Sequence, residues 1–502
     1  MLEISGQALS LADIASVALS ERTISLSERA RGRMQASREV IEQVLREGRV
    51  VYGVNTGFGK LCDVRIPASE LETLQLNLVR SHACGLGEPL SEAETRAMML
   101  LRANVLARGN SGCRVEVVET LLRMLEQRVH AVIPEKGSVG ASGDLAPLAH
   151  LALSMIGEGQ ARFGQQTLPS MEALRQAEIA PLRLAAKEGL ALLNGTQAMA
   201  GVGALALWRG LRIAALADLA GAMSLEALRG TPVAFDPRIQ ELRPHPGQIV
   251  AAGHLRDLLE GSEIRQSHVT NDPRVQDAYS LRCMPQVHGA VRTAIQHARE
   301  VTEIETGSAT DNPLVFADSG QVLSGGNFHG APLGMVYDYA AIALTDLISM
   351  SERRIERLVN PDLNEGLPPF LSSHPGTSSG YMIAQICAAS LLNEAKVLAH
   401  PASSDNVPTS GGKEDHVSMG MTSALKLRQI VSNAESVVSI ELLAATEGLD
   451  YRAPLRSSKR IERARELIRS LSARLIADRP LSPDIERVAQ AVGHGDFDEF
   501  VS

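Results

Sequence analysis

The sequence predicts a mainly α-helical protein, in which a long helical bundle accompanies a smaller N-terminal region of helices and loops. Hydrophobic residues make up 44% of the 502 residues, but aromatic residues only 3%. The core must therefore consist of Leu, Ala, Ile, Val and Met, and Ala and Leu are among the best helix formers. Long stretches with apolar residues at helical spacing dominate the chain, whereas strand patterns are few and short.

Several helical patterns have clear start or stop signals. Ser91 and Glu94 form a capping-box pattern, and the apolar run behind them stops at Gly109. A long pattern beginning at residue 335 ends before Pro361, because the residue preceding proline avoids helical angles. Besides the helix after Ser91, we expect helices at about 115–129, 335–359, 381–400, 419–449 and 457–477, the last on the surface.

Strands are predicted at only three places. One is 50–54, and the other two, 314–317 and 321–324, form a hairpin around a turn at 318–320. The chain shows no repeat and no linker-like hinge. We therefore expect one compact unit with two subregions, divided approximately into residues 1–200 and 201–502.

Charge and cysteine usage predict a soluble, cytoplasmic protein. The net charge is −9 without a long basic run, which disfavours nucleic acid or a membrane surface as a partner. The five cysteines are odd in number and form no Cys-x-x-Cys, which is typical of a reducing compartment. Glu3 and Asp13 argue against a signal peptide. The uncharged run 189–208 is long enough to span a membrane, but its polar cluster and glycines favour a buried helix.

Six polar clusters lie in or beside glycine-rich segments, and such loops on a helical scaffold commonly carry binding residues. Each also has a structural interpretation: Tyr52 as a core tyrosine, His82 as a buried histidine, Arg282 as a surface ion pair, and Glu414 as a charge at a helix N-terminus. The number of such segments favours a shared site. They are residues 52–59, 77–82, 193–197, 276–282, 324–329 and 409–416.

The sequence does not match the known phosphate-binding and metal-binding motifs. Gly412-Lys413 is followed by Glu414, so there is no Walker loop. The glycines at 137, 140 and 143 do not have dinucleotide-binding spacing, and the histidines and cysteines show no metal-ligand spacing. Asp144 occupies the second glycine position of a nucleophile elbow around Ser142. We therefore expect neither a nucleotide nor a metal.

The segment GSVGASGDLAPLAH, residues 137–150, permits a reaction of the chain with itself. The amide nitrogen of Gly143 could attack the carbonyl of Ala141 and close a five-membered ring through Ser142. Loss of water from the ring and from the serine would leave an electrophilic methylidene. Chemistry alone also allows an ordinary turn here. Asp144 is expected to cap or support the helix that begins at Leu145.

This segment resembles the signature of the ammonia-lyases that carry a 4-methylideneimidazole-5-one (MIO) group made from Ala-Ser-Gly. Further segments resemble the histidine ammonia-lyase branch of these aromatic amino acid ammonia-lyases, in the family order from residue 50 to about 420. The resemblance implies the fold shared by ammonia-lyases and the fumarase-aspartase group, and a homotetramer with shared active sites. The segments are YGVNTGFGK, LQLNLVRSHACGLGEPL, KEGLALLNGTQA, QDAYSLRCMPQVHGA, TDNPLVF, SGGNFHG, SERRIERLV, LPPFL and EDHVSMG.

The resemblance implies roles for the catalytic residues. Ala141, Ser142 and Gly143 would form the MIO group, so no pyridoxal phosphate is expected. Tyr52 matches the residue assigned to acid/base work near the substrate β-carbon. Asn194 matches a residue that supports the MIO group and the migrating amine.

Other matched positions would complete the site. Tyr279 would share the role of Asn194, and Arg282 would bind the substrate carboxylate with its planar donor fork. Gln276 and Phe328 would line the same pocket.

Two residues, His82 and Glu414, match those that contact an imidazole ring, which implies L-histidine as substrate and trans-urocanate and ammonium as products. Lys413 stands in a Gly-Gly-Lys segment where many relatives have Ala-Asn-Gln. It would either lower the pKa of Glu414 or point to solvent.

Two alternatives remain on the sequence. One is a tyrosine or phenylalanine ammonia-lyase, or an aminomutase, on the same scaffold. The other is a helical binding protein whose loop does not cyclise. The activity of fumarase/aspartase-type lyases is disfavoured, because the G-S-S-x-M-P-x-K-x-N signature of those enzymes is absent.

Overall fold

The computed structural model describes residues 1–20, 22–61, 63–270 and 272–501, so Cys62 lies outside the described residues. Of the chain, 59% is helical, in nineteen α-helices among the described residues. The predicted mainly α-helical class is confirmed.

The chain forms two compact units. The first contains residues 1–208, 298–338 and 401–425, and the second contains 209–297, 339–400 and 426–502. The division into 1–200 and 201–502 stays a prediction.

The first unit contains eight α-helices and nine short strands among its described residues. The helices are α1 Leu11–Ser20, α2 Glu28–Arg46, α3 Leu71–His82, α4 Glu92–Ala107, α5 Val115–Glu126, α6 Leu145–Met155, α7 Ser170–Gln176 and α8 Glu188–Leu193. The strands are β1 Leu2–Ile4, β2 Ile24–Leu26, β3 Leu86–Pro89, β4 Val129–Ala131, β5 Pro134–Lys136, β6 Gln160–Phe163, β7 Gln166–Pro169, β8 Leu314–Phe316 and β9 Gln321–Leu323.

These strands form small separate sheets. β1 and β2 pair in parallel, whereas β3–β5, β4–β6–β7 and β8–β9 are antiparallel. The predicted hairpin is confirmed as β8 and β9, with Val315 opposite Val322. The other strands have three or four residues, too few to show an alternating pattern in the sequence.

Four long helices contribute residues to both units, and seven helices lie within the second. The four are α9 Gln197–Ala227, α14 Met284–Thr306, α15 Ala331–Val359 and α17 Gly420–Asp450. The seven are α10 Pro237–Glu241, α11 Pro246–Leu259, α12 Glu263–Gln266, α13 Tyr279–Arg282, α16 Met382–Leu398, α18 Lys459–Leu471 and α19 Ser482–His494.

The helix signals read from the sequence are confirmed, with shifted ends. The capping box is present: the Ser91 hydroxyl accepts from the Glu94 amide at 3.2 Å, and the Glu94 carboxylate accepts from the Ser91 amide at 2.8 Å. Helix α15 begins four residues before position 335 and ends at Val359, immediately before Asn360-Pro361. Helix α5 ends at Glu126 because β4 begins at Val129.

The predicted strand at 50–54 is wrong, because this segment is a turn. The Asn55 side chain accepts from the Val51 amide at 2.9 Å and donates to the Arg49 carbonyl at 2.8 Å. Gly53 has φ +74°, a left-handed conformation that breaks an extended strand. Asn55 therefore closes a turn that the apolar pattern alone does not reveal.

The uncharged run at 189–208 is not one helix. It contains the end of α8, a break at Asn194, and the start of α9 at Gln197. By length and composition α9 and α15 could cross a membrane, but 78% and 61% of their most apolar windows are buried within the protein. Burial of this kind is typical of core helices.

Close packing of α9 generates a stability prediction at Gly203. A Cβ at this position would lie 2.1 Å from the Tyr337 ring, whereas a Cβ at Gly210 on the same helix would lie 3.4 Å from its nearest neighbour, Leu344. Overpacking costs about 1–3 kcal/mol, more than the roughly 1 kcal/mol that alanine gains over glycine in a helix. We expect Gly203→Ala to lower the melting temperature and the matched Gly210→Ala to maintain or raise it. Equal melting temperatures in thermal unfolding would contradict this packing.

Candidate active site

The Ala-Ser-Gly loop approaches another backbone segment so closely that position 143 has no room for a side chain. A Cβ on Gly143 would lie 2.1 Å from the Gly195 carbonyl oxygen, and Gly143 has φ +75°. The same carbonyl oxygen accepts from the Asp144 amide at 2.7 Å. Only glycine satisfies both the space and the backbone conformation at this position.

Asp144 anchors the loop to α9. Asp144 occupies the N-cap position of α6, the helix that begins at Leu145, and its carbonyl accepts from the Leu148 amide at 3.0 Å, but its side chain makes no capping hydrogen bond. Instead one carboxylate oxygen accepts from the amides of Ala198 and Met199 at 3.0 and 2.9 Å, in the first turn of α9. The other accepts from the Ser138 hydroxyl at 2.8 Å. Burial raises the pKa of Asp144 to about 6, against the effect of these hydrogen bonds.

Asn194 is directed at the loop. Its side-chain amide donates to the Ser142 carbonyl oxygen at 2.7 Å. The Asn194 backbone carbonyl accepts two bonds from Arg102, at 2.6 and 3.1 Å. Arg102 is fully buried, and burial lowers its pKa to about 10. Asn194 lies at the break between α8 and α9, where the bonds from Arg102 fix its backbone and its side chain reaches Ser142.

A cavity of about 740 Å³ opens above Ser142, within the first unit. It brings together six of the site residues predicted from the sequence. These are Tyr52, His82, Ser142, Asn194, Phe328 and Glu414. Ala141 is buried and lines a second cavity of about 960 Å³, which shares Tyr52, Ser142, Phe328 and Glu414 with the first.

The 50–55 turn places Tyr52 on the cavity wall. Val54 is buried in a hydrophobic cluster with Val315, and the partly buried Val51 packs against this cluster. Gly53 lies so close to Pro313 that a Cβ there would be 2.9 Å from its ring. With its neighbours packed in this way, Tyr52 faces both cavities rather than the core.

Glu414 contacts the reactive loop through Ser142. One carboxylate oxygen accepts from the Ser142 hydroxyl, and the other accepts from Thr409 at 2.6 Å and Ser410 at 2.8 Å. Burial acts to raise the pKa of Glu414, but these hydrogen bonds and the nearby His82 together hold it below its ordinary value. Glu414 is therefore a carboxylate at neutral pH.

His82 presents one ring nitrogen to its own helix. Its Nδ1 lies 2.8 Å from the Leu78 carbonyl oxygen, which can only accept, so Nδ1 carries the proton. Burial lowers the pKa of His82, against the effects of Leu78 and Glu414. A neutral His82 thus retains Nε2 as a hydrogen-bond acceptor.

Lys413 does not lie in the cavity above Ser142. Its side chain is exposed and lines the larger cavity. The largest causes that set the pKa of Glu414 are burial, three hydrogen bonds and the nearby His82. The structure therefore favours the solvent-facing alternative for Lys413.

Three of the predicted residues, Gln276, Tyr279 and Arg282, belong to the second unit and do not line the cavity above Ser142. Gln276 is exposed, and Tyr279 is 69% exposed at the start of α13. The Arg282 guanidinium lies 4.7 Å from the Tyr279 ring centroid. Its Nε is buried and has no hydrogen-bond partner among the described residues.

Asn312 and Ser410 are polar cavity residues that were assigned no role from the sequence, although both lie within segments singled out there. Asn312 lines both cavities, and its side-chain oxygen accepts from the Gly325 amide at 2.8 Å. Ser410 lines both cavities and binds Glu414. The motif TDNPLVF contains Asn312, so the resemblance could have identified it.

The residues around Ser142 fit the formation of an MIO group. Gly143 offers an amide without a side chain, and the Ser142 hydroxyl is held by a carboxylate. Asn194 donates to the Ser142 carbonyl oxygen, where negative charge would be stabilised. The arrangement suits cyclisation and dehydration of the loop.

Comparisons with known proteins agree with this geometry. The family model described as aromatic amino acid lyase matches residues 9–470. A histidine ammonia-lyase of Sorangium cellulosum is 54% identical over 498 residues, covering 98% of this chain and 97% of that protein.

Solved structures agree over the whole chain. The structure of histidine ammonia-lyase from Trypanosoma cruzi is 43% identical, with a TM-score of 0.93, and the match covers 100% of this chain and 94% of that one. A tyrosine aminomutase from Streptomyces globisporus is 37% identical, with a TM-score of 0.94 and coverage of 100% and 98%. The predicted ammonia-lyase fold is confirmed, and the chain belongs to the aromatic amino acid lyase family.

Proposed function

We propose that this protein is a histidine ammonia-lyase, a carbon–nitrogen lyase that eliminates ammonia from L-histidine to give trans-urocanate. The observation that carries the proposal is the position of Ser142, Glu414 and His82 around one cavity. The names of full-length relatives at about 50% identity support it. We place the reaction in histidine catabolism in the cytoplasm, in keeping with the cysteine pattern.

Ala141, Ser142 and Gly143 would form the MIO group, which supplies an electrophile that makes the substrate amine a better leaving group. Asn194 donates at 2.7 Å to the Ser142 carbonyl oxygen, where negative charge develops when the loop acts as an electron acceptor. Tyr52 lies on the cavity wall, where it can take the β-proton of the substrate.

The acceptors in the cavity favour an imidazole over a phenyl ring. Glu414 is a carboxylate, and neutral His82 offers Nε2 as an acceptor. An imidazole N–H can donate to one of these acceptors, whereas a phenyl ring has no donor for either. A hydrogen bond to a charged group contributes about 1.5–3 kcal/mol, so the site discriminates between the two rings.

The residues for the substrate carboxylate would come from another subunit. Arg282 has a buried Nε without a partner among the described residues, and Tyr279 is largely exposed. Both features suit side chains that complete a site in a neighbouring copy, together with Gln276. Phe328 would line the same site. We therefore propose a homotetramer with shared active sites.

An aminomutase is the second candidate, because tyrosine aminomutase has a TM-score of 0.94 with this chain. Incubation with histidine, tyrosine and phenylalanine, followed by separation of unsaturated acids from β-amino acids, decides between them. We expect urocanate from histidine. A β-amino acid as the main product would favour the aminomutase.

The intact mass should be lower than the sequence mass by two molecules of water. The reason is that ring closure releases one water and dehydration of Ser142 releases the other. Intact-protein mass spectrometry measures this, and Ser142→Ala should lack the methylidene and lose turnover of histidine. An unmodified wild-type mass without activity would instead support a binding protein with an uncyclised loop.

Asn194→Ala should lower kcat by about 10²–10³-fold with little change in KM, because a preorganised donor to the developing charge is lost. Steady-state kinetics with histidine measures the effect. The intact mass of the variant separates a catalytic defect from failed ring formation. An unchanged kcat in a variant that has lost both waters would contradict the role of Asn194.

Glu414→Gln should lower kcat/KM for histidine by about 10–100-fold, since a hydrogen bond to a charged group contributes roughly 1.5–3 kcal/mol. The effect on phenylalanine should be smaller, because its ring has no N–H. Asp405→Asn, an exposed acid-to-amide substitution nine positions before Glu414, serves as the matched control. Equal losses for histidine and phenylalanine would show that Glu414 does not recognise the ring.

A further inference from the structure

A fully buried ion pair lies in the second unit, next to the four-residue helix α13 that carries Tyr279 and Arg282. We call this short helix the 279–282 turn. Arg354 of α15 donates from Nε to one Glu441 oxygen at 2.5 Å and from Nη2 to the other at 2.9 Å. Neither side chain has exposed area. Glu441, of α17, also accepts from the Ser224 hydroxyl of α9 at 2.8 Å.

Arg354 uses its remaining donors to reach the turn and its surroundings. Nη1 donates to the Ser280 carbonyl oxygen at 3.2 Å and to His288 Nε2 at 3.3 Å. Nη2 also donates to the Ser351 hydroxyl at 3.1 Å. The five N–H groups of the guanidinium thus have five acceptors, a set that the three donors of a lysine cannot satisfy.

His288 is held in the form that accepts from Arg354. Its Nδ1 donates to Asp218 at 2.6 Å, and burial lowers its pKa, so Nε2 is unprotonated. Asp218 also binds Arg292 at 2.5 Å and His254 Nδ1 at 2.9 Å. The orientation of Arg354 is therefore fixed from a second side by a chain of buried hydrogen bonds.

Packing fixes the other end of the turn. Ser280 and Leu281 are buried, and Met284 lies so close to α9 that a Cβ on Gly221 would be 2.3 Å from its sulfur. Tyr279, by contrast, is largely exposed. The backbone is held from inside the unit while the side chain of Tyr279 projects outwards.

We propose that Arg354 is a positioning residue for the reaction, and that with Glu441 it holds the 279–282 backbone so that Tyr279 and Arg282 project in a productive direction. This inference rests on the roles given to those two residues in the proposed function. A buried ion pair is a poor source of stability, since apolar replacements of similar volume are often neutral or stabilising. Apolar replacements cannot reproduce the hydrogen bonds of Arg354 to Ser280, His288 and Ser351. Of these, the bond to the Ser280 carbonyl is the one that holds the 279–282 backbone.

The test is the double variant Arg354→Met/Glu441→Leu, which removes both charges together and leaves no unpaired buried ion. We expect the variant to fold, to retain a mass lower by two waters, and to keep a melting temperature near that of wild type. Its kcat should fall about 10²-fold, the loss that a misplacement of about 1 Å can cause. A merely structural role would lower the melting temperature without such a specific loss of kcat.

The matched control is Arg209→Met/Glu435→Leu. This ion pair joins α9 to α17, whereas Arg354–Glu441 joins α15 to α17. Arg209 Nε lies 2.8 Å from Glu435, and the pair has no hydrogen bond to the 279–282 turn among the described residues. We expect its kcat to stay within about twofold of wild type. Equal loss of kcat in both double variants would overturn the positioning role.

Arg354→Lys provides a second test that keeps the positive charge beside Glu441. It should fold and show a reduced kcat, because lysine lacks donors for the full set of acceptors. Wild-type kcat in either folded Arg354 variant would overturn the inference while leaving the proposed function intact. Failure of the wild-type protein to form urocanate would count against the proposed function itself.

Discussion

The approach of the Gly143 backbone to the Gly195 carbonyl is the constraint on which the candidate site depends. A side chain at position 143 would come within 2.1 Å of that oxygen, so the loop closes only around glycine. The same glycine leaves its amide unhindered for attack on the Ala141 carbonyl. Packing and proposed chemistry therefore require the same residue.

Buried polar groups fix the position of this loop relative to the segments that it contacts. Asp144 ties the loop to the first turn of α9, and Arg102 fixes the backbone of Asn194. Each of these groups is hydrogen-bonded, as burial of charge requires. In the second unit, Arg354 and Glu441 follow the same logic beneath the 279–282 turn. Rigid helices thus carry buried charges that orient loops, a common basis for precise functional sites.

Much of the fold and part of the site could be predicted from the sequence. Long helices with caps or proline stops, such as the one after Ser91, have strong local signals, and the glycine-rich motifs identified the residues around Ser142. The 50–54 turn could not be predicted, because it is closed by hydrogen bonds of the Asn55 side chain. The spacing of apolar residues contains no information about such bonds. The bonds from Asp144 to the amides of Ala198 and Met199 could not be predicted, because those residues are more than fifty positions away in the sequence. The order of the motifs along the sequence also does not show which of the two compact units contains Arg282.

The most direct test of the central claim is a high-resolution crystal structure of the protein at residues 141–143. The account predicts continuous density for a five-membered ring that joins the Gly143 nitrogen to the Ala141 carbonyl carbon, with no hydroxyl on residue 142. Density for an open backbone with an intact serine hydroxyl bonded to Glu414, in a preparation that converts histidine to urocanate, would contradict it.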